Sequence, residues 1–86
     1  MPTVSMFFGI SIRMYYDDHA PPHFHAYYGN DGAAFIINTL AVRDGHLPPR
    51  VMAMVLEWAA KYRSELRVNW QLAAQHEPLN KIPPLE

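Results

Sequence analysis

The sequence predicts an α+β fold: an antiparallel sheet of three to four strands, followed by a C-terminal amphipathic helical region packed on one of its faces. Three observations carry this expectation. Apolar and polar residues alternate through much of the first half, Pro and Gly clusters cut that half into short runs, and beyond Arg50 the apolar spacing changes to three and four.

From Met6 to Tyr16 the even positions are Met6, Phe8, Ile10, Ile12, Met14 and Tyr16, while the odd ones include Gly9, Ser11 and Arg13. Side chains on a strand alternate between faces, so this run is expected to be one strand, bent at Gly9, with its even face on a core. In Asp17-Asp18-His19-Ala20-Pro21-Pro22 the prolines remove ladder donors, which makes the segment a loop. His23 to Tyr28 resumes as an aromatic strand, Gly29-Asn30-Asp31-Gly32 supplies a hairpin turn, and Ala33 to Leu40 reads as a third strand. A short fourth strand is expected near Ala41 to Arg43, with Asp44-Gly45 turning after it.

Pro48-Pro49 can open a helix, because a first-turn proline lacks only an N–H that has no intrahelical partner. Val51, Val55, Trp58, Tyr62, Leu66, Trp70 and Ala73 then form one stripe. A single helix from Arg50 to Gln75 would be about 39 Å long, so one kinked helix or two are expected, with the break near Arg63-Ser64. Pro78, Pro83 and Pro84 end the helical region and leave an extended tail from about residue 77.

The 86 residues suit a single domain spanning 1–86. Half the residues are hydrophobic and 17% are charged, which is globular composition. The absence of cysteine excludes disulfides, thiolate metal sites and a cysteine nucleophile. A core this small gains from packing, a metal or a partner chain, so a homo-oligomer is one expectation. The apolar start is too short for a membrane span and lacks a basic leader, which makes a cytoplasmic protein with no membrane association the default. Formal net charge is −1 and the seven Lys and Arg residues are dispersed, unlike a DNA-coating protein.

If Phe24, Ala26 and Tyr28 face the core, then His23, His25 and Tyr27 share the opposite face. Arg13 and Tyr15 occupy the matching face of the first strand, and pairing of the two strands would merge all five into one patch rimmed by Asp17, Asp18 and His19. Two chemistries suit this patch. His19, His23 and His25 with Asp17 or Asp18 are candidate ligands of a divalent transition metal. Without metal, His23, His25, Arg13 and Tyr15 are candidate catalytic groups for hydrolysis or RNA cleavage, with Tyr27 available to stack on a base. The bland alternative is a set of histidines that bond the loop backbone and pack against Tyr15 and Tyr27. Arg63 and Arg67, four apart on the helical region, are a further candidate binding surface for an anion.

Several strings carry a resemblance. They are Met1 to Ile10, the run Met14-Tyr15-Tyr16-Asp17-Asp18-His19-Ala20-Pro21-Pro22-His23-Phe24-His25-Ala26-Tyr27-Tyr28-Gly29, Leu56-Glu57-Trp58-Ala59 with Asn69-Trp70, and the closing Glu77-Pro78-Leu79 and Ile82-Pro83-Pro84-Leu85. Together they resemble a family of short bacterial proteins catalogued as domain of unknown function 4160, whose most distinctive string is Asp-His-x-Pro-Pro-His-Phe-His. The resemblance implies stand-alone proteins encoded beside a second small protein, in the manner of toxin–antitoxin pairs, and it implies no reaction. The leading expectation is therefore an interaction protein of such a module, bound to the product of the neighbouring gene. A small hydrolase or ribonuclease using His19, His23 and His25, or a nucleic-acid-binding regulator, are the alternatives.

Overall fold

The computed structural model describes residues 2–86; Met1, which opens the first string above, lies outside the described residues. Five strands form one antiparallel sheet in sequential order: β1 (Thr3–Phe7), β2 (Ile10–Arg13), β3 (His23–Tyr28), β4 (Asp31–Ile36) and β5 (Val42–His46). Helices α1 (Pro49–Lys61) and α2 (Arg63–Ala74) follow. The α+β class agrees with the sequence expectation; the strand count is one above the expected upper bound.

The additional strand comes from the N-terminal run, which is a hairpin and not one bent strand. Phe8 and Gly9 have φ of 49° and 78°, the two positive values that a two-residue type I′ loop needs. Phe7 therefore lies opposite Ile10 on the same face. Phe7, Ile10, Ile12 and Met14 are buried, whereas Met6 and Phe8, which continue the even pattern, are exposed. The turn reverses the chain while leaving the alternation of residue types uninterrupted.

The other strand boundaries shift for similar reasons. β4 stops at Ile36, where the Ile36 carbonyl accepts from the Leu40 amide and the Ile36 amide donates to Ala41, closing a tight loop before β5. Asp44 and Gly45 are not a turn; both lie within β5. Gly45 has φ +85°, and a Cβ there would fall onto the backbone carbonyl oxygen of Gly32, so this close crossing requires glycine. Between Ala34 and Phe35 the register slips: Ala34 faces Asp44 but Phe35 faces Val42, which leaves Arg43 as the extra residue of a bulge.

The core lies between the sheet and the helices. Phe24 stacks on Phe35 at 5.3 Å between centroids and meets Trp58 edge-on at 6.0 Å, with Ile10, Ile12, Val55 and Leu66 fully enclosed around them. Each such side chain contributes roughly 1.5–3 kcal/mol through apolar burial. The helical region breaks at Tyr62 (φ −113°, ψ 28°), one residue before the expected Arg63-Ser64, giving two helices. The extended tail is docked. The Asn69 side chain both donates to and accepts from the Asn80 backbone, Trp58 Nε1 donates to the Pro83 carbonyl, and the Ile82 amide donates to Val4 on β1. Among the described residues no helix is long and apolar enough to cross a membrane.

Candidate metal centre

The face of the sheet away from the core is ordered by strand register. Arg13, His25, Ala34 and Asp44 stand opposite one another across β2, β3, β4 and β5, and Ser11, Tyr27, Gly32 and His46 form the neighbouring row. With Phe24 and Ala26 fully buried on the inner face, His23, His25 and Tyr27 share the outer one, where the strand alternation puts them. Tyr15 joins them from the loop: its ring meets His25 edge-on at 4.7 Å and its hydroxyl is 2.8 Å from that of Tyr27. The Arg13 guanidinium lies 4.9 Å over the Tyr27 ring. The patch inferred from the sequence thus exists, with one correction: His23 is 2% exposed, enclosed beneath surrounding side chains instead of presented to solvent.

Asp18 is the hub. Its Oδ2 lies 2.9 Å from His23 Nε2 and 3.3 Å from His25 Nε2. One ligand atom from each of the three residues falls within 4.8 Å of the others. His23 Nδ1 is 2.8 Å from the Pro21 carbonyl oxygen, which can only accept, so that nitrogen carries hydrogen and in a neutral ring the lone pair sits on Nε2. That lone pair faces a carboxylate oxygen. A proton on His23 Nε2 would reconcile the two while His25 donates its own N–H to the same carboxylate; a metal ion would serve both imidazoles and the carboxylate together. Ligand atoms around a tetrahedral ion at about 2.0–2.1 Å stand about 3.3 Å apart, near the 2.9 and 3.3 Å that separate Asp18 Oδ2 from the two imidazole nitrogens. Anchoring the remote imidazole nitrogen on a backbone carbonyl is also the usual outer support of a metal-ligating histidine.

The electrostatics agree with a ligand role, since metal ligands must be deprotonated. Burial pushes the Asp18 carboxyl upward, but the hydrogen bond with His25, the His19 amide and the neighbouring imidazoles outweigh it and hold the group below its ordinary value. Burial pushes His25 down, beyond what the Asp18 carboxylate restores, with His23 and Arg43 acting in the same downward sense. Burial, then the hydrogen bond to Tyr15, pushes the Tyr27 phenol up to about 12, so it stays a neutral hydroxyl.

The remaining sequence candidates fall outside the cluster. His19 gives Asp18 its backbone amide at 3.0 Å, and its ring is not among the converging ligands. Asp17, at φ 60°, turns outward and pairs with His76 at 2.9 Å, because the turn that aims Asp18 inward points its neighbour away. Arg67 donates to Asn38 from α2, and Arg63 has its Nε buried without a partner; neither joins the cluster.

Two residues of the site were not anticipated. Arg43 Nη1 lies 3.2 and 3.1 Å from Nδ1 and Nε2 of His23. Near-equal distances to both nitrogens put it over the ring face, where no nitrogen lone pair points, so this is a cation–ring contact and not a hydrogen bond. The bulge on β5 is what aims Arg43 there. Trp70, expected on the core stripe, packs its ring 5.3 Å from His23 and with Tyr15, Asp17, Asp18, Ala73 and Ala74 lines a cleft of about 30 Å³, room for a water beside the carboxylate.

No curated protein and no solved structure matches the chain. The family model described as "Domain of unknown function (DUF4160)" matches residues 9–71, a span that holds β2 to β5, both helices up to Gln71, and every residue of the cluster. The chain belongs to this family.

Proposed function

We propose that the protein binds one divalent transition-metal ion, zinc by its nitrogen and oxygen donors, through Asp18 Oδ2, His23 Nε2 and His25 Nε2, and uses it as a hydrolytic centre. The observation that carries this reading is the sharing of one carboxylate oxygen by two imidazole nitrogens. Three protein ligands leave a coordination position for water, the arrangement of catalytic as opposed to structural zinc sites, and a water so held ionises near neutral pH. His25 and Asp18 remain partly exposed, so that position opens to solvent. The test is turnover of chromogenic esters by protein purified without a histidine tag, with zinc, manganese or cobalt added and with a chelator. Metal-dependent hydrolysis that disappears in Asp18→Asn is expected; equal rates with chelator, or in that variant, would refute the reading.

A second reading, a partner protein in a cytoplasmic module of toxin–antitoxin type, is favoured by the apolar tip of the β1–β2 hairpin, where Met6 and Phe8 are 67% and 61% exposed. It expects co-purification with the product of the adjacent gene, lost in the Met6→Asp/Phe8→Asp double variant. Clean separation of the two proteins at micromolar concentration would contradict it.

A further inference from the structure

We infer that the substrate of this centre is a phosphate monoester, with the phosphate held between the metal position and Arg43 and the alcohol portion lying along the groove over β4. The inference rests on the hydrolytic reading and adds the chemistry of what is hydrolysed. Three observations support it.

The first is charge. A dication held by one carboxylate keeps a net positive charge, and the structure puts an exposed guanidinium, Arg43, directly over the ring of one ligand. Arg13, opposite His25 in the β2–β3 register, is engaged elsewhere, over the Tyr27 ring and with Ser11. Cations repel a metal ion, so Arg43 beside the ligands is unfavourable until an anion joins them. A neutral carboxylic ester or amide gains less from a guanidinium there, whereas the planar fork of arginine matches the oxygens of a phosphate.

The second is the bulge. A regular β5 would alternate its side chains, sending Arg43 to the face opposite Asp44; the register slip beside Ala34 frees Arg43 to reach across β4 to the metal position. The strand departs from regularity at the residue that the site requires.

The third is the groove. The depression beside His25 has a floor of Gly32, Ala33 and Ala34, with Tyr27 on one wall and Asp44 and Gly45 on the other, and a volume of about 200 Å³. Small residues on β4 create it: a Cβ at Gly32 would stand 2.8 Å from the Tyr27 ring. It is smaller than the roughly 300–1,000 Å³ of ordinary ligand pockets, which suits a small alcohol or one unit of a larger one. Asp44 repels phosphate but accepts from a hydroxyl or amine, which orients the substrate with its phosphate toward Arg43 and the metal. In the reaction a water oxygen bonds to phosphorus as the ester P–O bond breaks. One water proton ends on the departing alcohol, and inorganic phosphate is released; water is the only co-reactant.

The experiment uses the full chain without a tag, loaded with zinc, and measures zinc stoichiometry, calorimetric binding of inorganic phosphate and turnover of p-nitrophenyl phosphate. Arg43→Gln is expected to keep stoichiometric zinc while weakening phosphate binding, and lowering kcat/KM for the phosphate ester, by about ten- to a hundredfold. Arg43→Lys should fall between the two, and Arg67→Gln, which lies outside the site, should match the wild type. Zinc uptake without phosphate binding, or phosphate binding unchanged in Arg43→Gln, overturns this inference alone. Failure to take up zinc overturns the metal reading and this inference with it.

Discussion

His23 Nε2 stands 2.9 Å from Asp18 Oδ2 while the other nitrogen of the same ring is held at 2.8 Å by the Pro21 carbonyl. The loop that supplies the carboxylate therefore also orients the imidazole, and ligands from loop and strand form one unit.

This unit separates the roles of the two histidines. His25→Ala removes a half-buried ligand and is expected to weaken zinc binding by about a hundredfold or more, beyond the ten- to hundredfold typical of outer partners. Its effect on the metal-free protein should stay within about 1 kcal/mol. His23→Ala removes an enclosed ring, leaves the Pro21 carbonyl without its donor, and should also cost about 2–4 kcal/mol of stability. Urea unfolding of chelator-treated variants measures the difference; equal destabilisation by both substitutions would contradict it.

The chelator-treated protein should lose stability on acidification in two stages. His25 is held below its ordinary value of 6.5 by burial first, so between the folded and unfolded values the unfolded chain binds the extra proton. Its stabilising contribution is complete above about 6.5 and is lost as pH falls through the folded value. Asp18, also depressed, adds a loss of the same sign below its ordinary 3.8. Denaturation midpoints against pH should show both stages in the wild type; His25→Gln should lose the upper stage and weaken the lower one, because the bond from His25 leads the causes that hold Asp18 down.

The Tyr27 hydroxyl should resist ionisation. Tyr27 rises from 10.0 to about 12, so its stabilising contribution is complete below pH 10 and declines above it. Ultraviolet titration should find one tyrosine ionising last, and Tyr15→Phe should lower that value. A titration with all five tyrosines near 10 would refute the arrangement.

Gly45→Ala should destabilise the fold by about 3 kcal/mol or more, since the position has φ +85° and no space for a Cβ against Gly32. Because β5 carries Arg43, phosphate binding should fall with it. A thermal midpoint within a degree or two of wild type would show that β5 does not cross so closely.

Much of the site was legible because it depends on alternation. Once Phe24 and Ala26 are assigned inward, the outward set of His23, His25 and Tyr27 follows, and pairing with β2 adds Arg13. The hairpin at Phe8-Gly9 was hidden because Met6 and Phe8 are apolar yet exposed, so the pattern of residue types continues through a reversal of the chain. Arg43 was invisible for a different reason: its position follows from a bulge in β5 opposite Ala34 and Phe35, and pairing register is not written in the spacing of either strand. His19 was included on residue type alone, and in a turn the direction of each side chain depends on backbone angles such as the 60° φ of Asp17. Trp70 fits an apolar stripe equally well whether its ring meets core or His23.

The most direct measurement is a calorimetric zinc titration of tag-free protein and of its Asp18→Asn variant, with metal content confirmed by elemental analysis. One ion per chain in the wild type is expected, with affinity lost in the variant while the circular dichroism spectrum is retained. Absence of zinc binding at micromolar concentration, or equal binding by both proteins, would contradict the assignment of Asp18, His23 and His25 as a metal centre.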